Sequence, residues 1–287
     1  LNFLPDFKTP EDPVKKWTTI GRALMLGLAM TGQAALAQDE APAEPAPATE
    51  QAELPSAESL FERHIEAVGG KDKVFDITTR RFTATLKFYQ GGSEEPAQTS
   101  ILRITAKAPD LMIQEIITPG VSTITKYFDG EAGWVVEQGK PAVAMEVEEL
   151  ERFAVGARFY AEADYKNHYK GYKTVNKQEV NGDTIYIVEI EHFSGRKEAL
   201  AFSEDSGLII GVAGMRTIQG RQFEFRRSYE DYSDFGDGVL YAKTIREVMG
   251  GTMFEIVMTS IDTDIDFPEL ERPEGIEDAD LSGFRKE

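Results

Sequence analysis

The chain contains no cysteine. Disulfides, thiolate metal sites and thiol catalysis are therefore excluded. Basic charge is scarce: 31 Lys and Arg stand against 50 Asp and Glu, a net charge of −19. A phosphate backbone needs a clustered basic face, so nucleic acid is excluded as a partner. Histidine is also rare, with three residues in 287, and none lies at metal-ligand spacing from another. No Gly-rich phosphate loop, zinc-protease helix motif or nucleophile elbow is present. No apolar run reaches the roughly 20 residues that a bilayer-spanning helix requires.

The N-terminus has the parts of a secretory signal peptide. Lys15, Lys16 and Arg22 precede the short apolar run Ala23 to Met30, and Ala35-Leu36-Ala37 supplies a small-x-small cleavage site. Cleavage is expected after Ala37, which gives a periplasmic, soluble mature protein. Residues 1–37 are read as an N-terminal extension plus this signal. Residues 38–54, QDEAPAEPAPATEQAEL, carry five acids and no base. They have no residue able to anchor a core and should form a disordered linker. The folded domain is expected over 55–270. Residues 271–287 are read as an acidic tail.

Helix periodicity opens the domain. Leu60, Phe61, His64, Ile65 and Val68 share one face, Ser56 is placed to cap it, and Gly69-Gly70 ends it. The period then changes to two: Phe82, Ala84, Leu86 and Phe88 alternate with polar residues. Further strands follow, divided by turn signals such as Asp129-Gly130, Asn181-Gly182-Asp183, Asp237-Gly238 and Gly250-Gly251. A second helix is predicted from Glu146 to about Tyr160, with Val147, Leu150, Ala154 and Ala157 on one stripe and Phe153 and Phe159 beside it. The fold class is mainly β: a large antiparallel half-barrel of about eleven strands, with helices covering its concave face. Sequence-adjacent strands should pair as a meander.

Several strands are apolar on both faces, as at Met112 and Ile113, Ile187 and Val188, and Ile256 and Val257. An antiparallel sheet normally keeps one wet face, so part of the second face must be covered. Phe82, Leu86, Phe88, Met112, Phe128, Trp134, Met145, Phe153, Phe159 and Met258 are the candidates to line an apolar cavity, where flexible Met and broad rings accept variable chains. Taken singly, each also fits an ordinary core. His64 reads as a core or rim histidine. Asp262, Asp264 and Asp266 begin like a calcium loop, but Phe267 and Pro273 occupy the positions that need Gly and a bidentate acid. They read as a solvated edge. No catalytic residue, metal or cofactor is assigned.

Short segments carry a family resemblance. They are LFERHIEAVGG at 60–70, Arg80-Arg81-Phe82, Tyr127-Phe128-Asp129-Gly130 running to Trp134, Asn181-Gly182 to Val188, Asp205-Ser206-Gly207-Leu208, YEDYSDFGDGV at 229–239, and Asp262 to Pro268. Over roughly residues 56–270 the chain resembles the outer-membrane lipoprotein-sorting (LolA/LolB-like) superfamily. The resemblance implies an incomplete barrel closed by helices, with an apolar cavity that shields acyl chains. It also implies an arginine on an early strand that holds the helical lid, for which Arg80, Arg81 and Arg103 all qualify. The function expected is a carrier for a lipid or lipoprotein acyl chain, served by an inner- or outer-membrane receptor and without enzymatic activity. The alternative is an envelope sensor or scaffold that recognises lipidated partners without transporting them.

Overall fold

A computed structural model describes residues 54–180, 182–218 and 220–281. The expected signal peptide and nearly all of the expected linker lie outside the described residues, as does Asn181 of the Asn-Gly turn.

Ser56 caps α1 (Ala57–Ala67) by accepting the Ser59 N–H at 3.1 Å. The helix buries Leu60, Phe61, His64 and Ile65. Gly69 ends it at φ +136°, in a region side chains avoid. A Cβ there would stand 2.6 Å from the Gly238 carbonyl oxygen. This close approach seats the end of α1 on a later hairpin, where Leu240 donates to the Val68 carbonyl at 2.7 Å. A short α2 (Lys71–Asp76) follows.

The strands are β1 (Thr79–Gln90), β2 (Gln98–Lys107), β3 (Leu111–Thr118), β4 (Ser122–Phe128), β5 (Gly133–Glu137), β6 (Val143–Ala144), β7 (Gly171–Val180), β8 (Asp183–Glu191), β9 (Lys197–Ser203), β10 (Ile209–Ile218), β11 (Arg221–Asp234), β12 (Leu240–Met249) and β13 (Thr252–Thr263). All join one antiparallel sheet in the order β6-β5-β4-β3-β2-β1-β13-β12-β11-β10-β9-β8-β7. It is two meanders, β1–β6 and β7–β13, joined where β1 pairs with β13. The sheet stays open, with β6 and β7 as its edges. The count is thirteen rather than about eleven. The two-residue β6 is too short to leave a period in the sequence.

Between the meanders lie α3 (Val147–Ala157) and a single turn, α4 (Tyr165–His168). The second helix stops short of Tyr160 because the Phe159 N–H turns to the Pro109 carbonyl at 3.0 Å. α3 touches β4, β5 and β10. Six strands separate β4 from β10 in the sheet order, which in a flat sheet would be about 34 Å at roughly 4.8 Å per strand. A helix of 11 residues spans only about 16 Å. The sheet therefore bends around α3. Lys126 on β4 meets Glu149 at 2.6 Å on one side, and Arg152 donates to the Thr217 carbonyl of β10 at 3.1 Å on the other.

Both helices cover the concave face. α1 seals the β8–β11 arm: Leu60, Phe61 and Ile65 pack with Val188, Leu200, Phe202, Val212 and Phe225. α3 seals the β3–β5 arm. Gly133 allows this, since a Cβ there would lie 2.6 Å from Leu150 and 2.9 Å from the Met145 sulfur. The two-faced strands are real in β8, where Val188 joins the α1 cluster and Ile187 a separate cluster with Ala199, Ala201 and Ala213. The chain also does not leave the domain at residue 270. Leu281 is buried against the α3 cluster, Ala279 donates to the Glu131 carbonyl at 3.0 Å, and Arg272 pairs with Asp129 at 2.7 Å. An acidic composition concealed one apolar anchor.

Candidate ligand-binding face

Strand register decides which candidates share a surface, because side chains alternate between faces. On β1 the even-numbered positions Arg80, Phe82, Ala84, Leu86 and Phe88 point together. Their cross-strand partners extend the surface: Phe82 opposes Ile104 and Ile261, Ala84 opposes Leu102 and Met258, Leu86 opposes Ile256, and Phe88 opposes Phe254. Leu102 continues to Ile116 and then Ile124. This is the concave face, since Met112 and Phe128, on the same side, contact α3.

The face has two characters. Under α3 it is solid. Met112, Phe128, Met145 and Phe153 pack with Leu150, Ala154, Ala157 and Leu281, and Phe128 is only 1% exposed. These four candidates are the seat of the helix, not the wall of an open cavity. Beyond α3, Ala84, Leu102 and Met258 are buried, but Phe82, Leu86, Phe88, Ile104, Ile116, Ile245, Phe254 and Ile256 are only half-buried. They form an apolar shelf across β1, β2, β3, β12 and β13. The rings of Phe88 and Phe254 lie 5.2 Å apart on it.

Trp134 is a correction. It opposes Tyr127, one position out of phase with Phe128, so it points to the other face. There it stacks on Tyr127 with centroids 5.3 Å apart. Hydrophobicity alone did not reveal which side of β5 it occupies.

The three arginines also separate by register. Arg81 and Arg103 lie on the outer face, where Arg81 bonds Thr105 and Arg103 pairs with Glu115 at 3.1 Å. Arg80 faces inward. Its guanidinium lies 4.9 Å from the Phe82 ring centroid and 4.1 Å from that of Phe159, and it donates to the Phe159 carbonyl at 3.0 Å. Burial pulls its pKa down, opposed by Tyr241 and Glu162. Phe159 itself is buried with Ile77, Ala106 and Val239. Arg80 thus ties the residues after α3 to the start of β1.

At the Arg80 end of the shelf is a cavity of about 450 Å³, lined by Lys73, Asp76, Ile77, Phe235, Asp237, Ile261, Thr263 and Asp264 among others. Phe235 also rests on the shelf cluster. The sequence marked Asp237 only as part of a turn. Asp264, read as an edge residue, forms part of the cavity rim.

At the opposite end, Glu247 opposes Phe254. Its carboxylate accepts from Arg216 at 2.5 and 3.2 Å and from Arg227 at 2.9 and 2.6 Å. Burial pushes this carboxyl up, but the two arginines outweigh burial and hold it below the usual value. Sequence reasoning missed this group. Glu247 lies 31 residues from Arg216 and 20 from Arg227 along the chain.

Two of the three histidines, His64 and His192, are buried. Burial pushes His64 down to about 4, so the ring is neutral, and its Nδ1 accepts the Ile209 N–H at 3.2 Å. His192 Nε2 lies 3.1 Å from Glu198. Among the described residues no cluster of His, Cys, Asp or Glu is placed to hold a metal.

No family model and no curated protein matches the chain. Solved structures do. A LolA superfamily protein from Nitrosomonas europaea superposes with a TM-score of 0.52 at 13% identity, over 75% of this chain and 96% of that one. The fold is LolA-like. A DUF1329 family protein from Desulfovibrio piger gives 0.52 at 12% identity, over 74% and 94%. A lipoprotein-sorting protein domain from Vibrio parahaemolyticus covers 73% and 95%, at 12% identity and a TM-score of 0.48. At these identities the likeness to the first two establishes the fold alone, and the site must be argued from its own residues.

Proposed function

We propose that the protein is a periplasmic carrier that binds an acyl chain of a lipid or lipoprotein on the concave face and performs no chemistry on it. The observation that supports this reading is the half-buried apolar shelf of Phe82, Leu86, Phe88, Ile116, Phe254 and Ile256, enclosed in a bent sheet rather than packed against a helix. A LolA-like fold is consistent with it. Among the described residues no helix is long and apolar enough to cross a membrane, and the signal-like N-terminus suits export.

The energetics are adequate. Burying about fourteen methylenes gains roughly 11 kcal/mol at about 0.8 each. Association costs at least about 4 kcal/mol. The remaining ~7 kcal/mol corresponds to a Kd on the order of 10 μM without any polar contact. Displacement of a fluorescent fatty acid, run beside thermal melting, tests the proposal. Phe88→Ser should weaken binding about tenfold and leave the melt nearly unchanged, because Phe88 belongs to no buried cluster. Failure of the unmutated protein to bind any saturated chain or lipopeptide would refute it.

A further inference from the structure

The chain leaves β13 at Thr263 and does not turn away into solvent. Residues 264–281 form neither helix nor strand. They carry eight acids against one base, Arg272. They follow the rim of the sheet from the start of β1 to the turn between β4 and β5. The Asp264 N–H donates to the Thr79 carbonyl at 3.1 Å, and the Ala279 N–H donates to the Glu131 carbonyl at 3.0 Å. Over this whole span Leu281 alone is buried.

Leu281 sits in the α3 cluster with Met112, Phe128, Met145, Leu150 and Phe153. That position adjoins the shelf. Ile104, opposite Phe82 on the concave face, packs against the α3 cluster and also against the group of Ala84, Leu102 and Met258. An acyl chain laid along the shelf toward its Phe82 end therefore runs toward the place that Leu281 fills. Two of the residues around Leu281 are methionines, whose unbranched side chains adapt to a changed neighbour.

The hold on Leu281 is weak. Arg272 pairs with Asp129 at 2.7 Å, with Glu131 at 3.2 Å and with Asp278. The Glu131 and Asp278 side chains are 68% and 70% exposed. Ion pairs that water reaches contribute little and are screened by salt. Keeping an irregular segment on one path also costs conformational entropy at each residue. Against that cost stands one buried leucine. A chain of about fourteen methylenes brings several times the apolar surface of a leucine side chain, so it prevails where the two meet.

We propose that residues 264–281 are an intramolecular plug: Leu281 occupies the α3 end of the acyl site in the empty protein, Arg272 clasps the segment in place, and a bound chain expels it. This rests on the acyl-binding reading and adds its regulation. The empty carrier covers part of its own apolar face, and the loaded carrier frees an acidic segment.

The test uses the full chain with hexadecanoic acid as probe. Amide hydrogen exchange over residues 276–281, which include the bonded Ala279 N–H, should quicken about tenfold when the fatty acid saturates the protein, while β8 and β9 keep their protection. Unchanged or slower exchange there overturns the plug, because Leu281 would then be a fixed wall of the site. Displacement of a fluorescent fatty acid, run beside thermal melting, gives the second readout. Leu281→Ser should raise affinity about tenfold by removing the competing side chain. Arg272→Gln should raise it about threefold, and the gain over the parent should shrink as salt is raised. Arg272→Gln is decisive because it loosens the clasp and leaves every side chain of the α3 cluster in place, so its gain does not come from a newly cut cavity. Unchanged or weaker binding by Arg272→Gln, with a folded melt, overturns the plug and leaves the carrier reading intact. Absence of binding by the parent and both variants overturns both.

Discussion

Arg80 is sandwiched between Phe82, on its own strand, and Phe159, just past the end of α3, with its guanidinium 4.1 Å from the Phe159 centroid. The contact joins the first strand of the sheet to the segment that leaves the covering helix. A cation over an aromatic face away from water contributes up to about 2 kcal/mol. The hydrogen bond from this charged donor to the Phe159 carbonyl adds roughly 1.5–3 kcal/mol. These terms overlap.

Arg80→Gln should therefore destabilise the protein by about 2–3 kcal/mol and act locally before it acts globally. Amide hydrogen exchange is the appropriate measurement. Protection should fall first over residues 155–165, while β8 and β9 keep theirs. Uniform loss of protection across the sheet would show that Arg80 supports the core as a whole rather than fastening α3. Arg81→Gln and Arg103→Gln, on the other face, should each change stability by less than about 1 kcal/mol.

Phe153 tests whether α3 is a fixed part of the core. It is 8% exposed and packs with Met112, Phe128 and Leu150. Phe153→Ala should cost about 3–5 kcal/mol, the usual price of a large cavity in a packed interior. Phe153→Glu should unfold the protein at neutral pH, since the site has no partner for a carboxylate. A Phe153→Glu variant that melts normally but loses fatty-acid binding would instead place α3 as a movable cover over an open cavity. Circular dichroism melts alongside the displacement assay distinguish these outcomes.

The contrast between Phe153 and Phe88 indicates what the sequence could convey. Period-two and period-3.6 patterns exposed the strands, α1 and α3, because burial on one face is written into local spacing. The same patterns placed Phe82, Leu86 and Phe88 together correctly, as they share one strand. They could not place Trp134, whose face depends on how β5 registers with β4. They could not choose among Arg80, Arg81 and Arg103 until β1 and β2 were paired. The Arg216–Arg227–Glu247 group was invisible because charge pairing across strands leaves no spacing signal. The anchored tail was missed because one leucine among acids carries no period.

His64 gives the molecule an expected acid sensitivity. Its ring is neutral in the folded state, with a pKa pushed down to about 4 from an ordinary value of 6.5. In the unfolded chain the same group takes its proton near 6.5. Between these values the unfolded state binds more protons than the folded one, so stability falls as pH falls. The contribution is intact above about pH 6.5, declines from there to about pH 4, and is then fully lost. A displacement of this size corresponds to roughly 3 kcal/mol at about 1.4 kcal/mol per unit. Glu247 acts in the same direction but later. Its folded pKa lies below the ordinary 4.5, so its stabilisation is lost only as pH falls below about that value. Acidification should thus weaken the fold in two stages, with histidine first. His64→Asn retains an acceptor near Nδ1 for the Ile209 N–H and removes the titration. Urea unfolding at pH 7, 6, 5 and 4.5 should show the parent losing stability steadily below pH 6.5. The variant should lose clearly less over the same range, the remainder coming from His168, whose pKa burial and Arg158 also lower. If parent and variant lose stability in parallel across that range, His64 is not the group that protonates, and the acid response belongs to His168 or to the carboxylates.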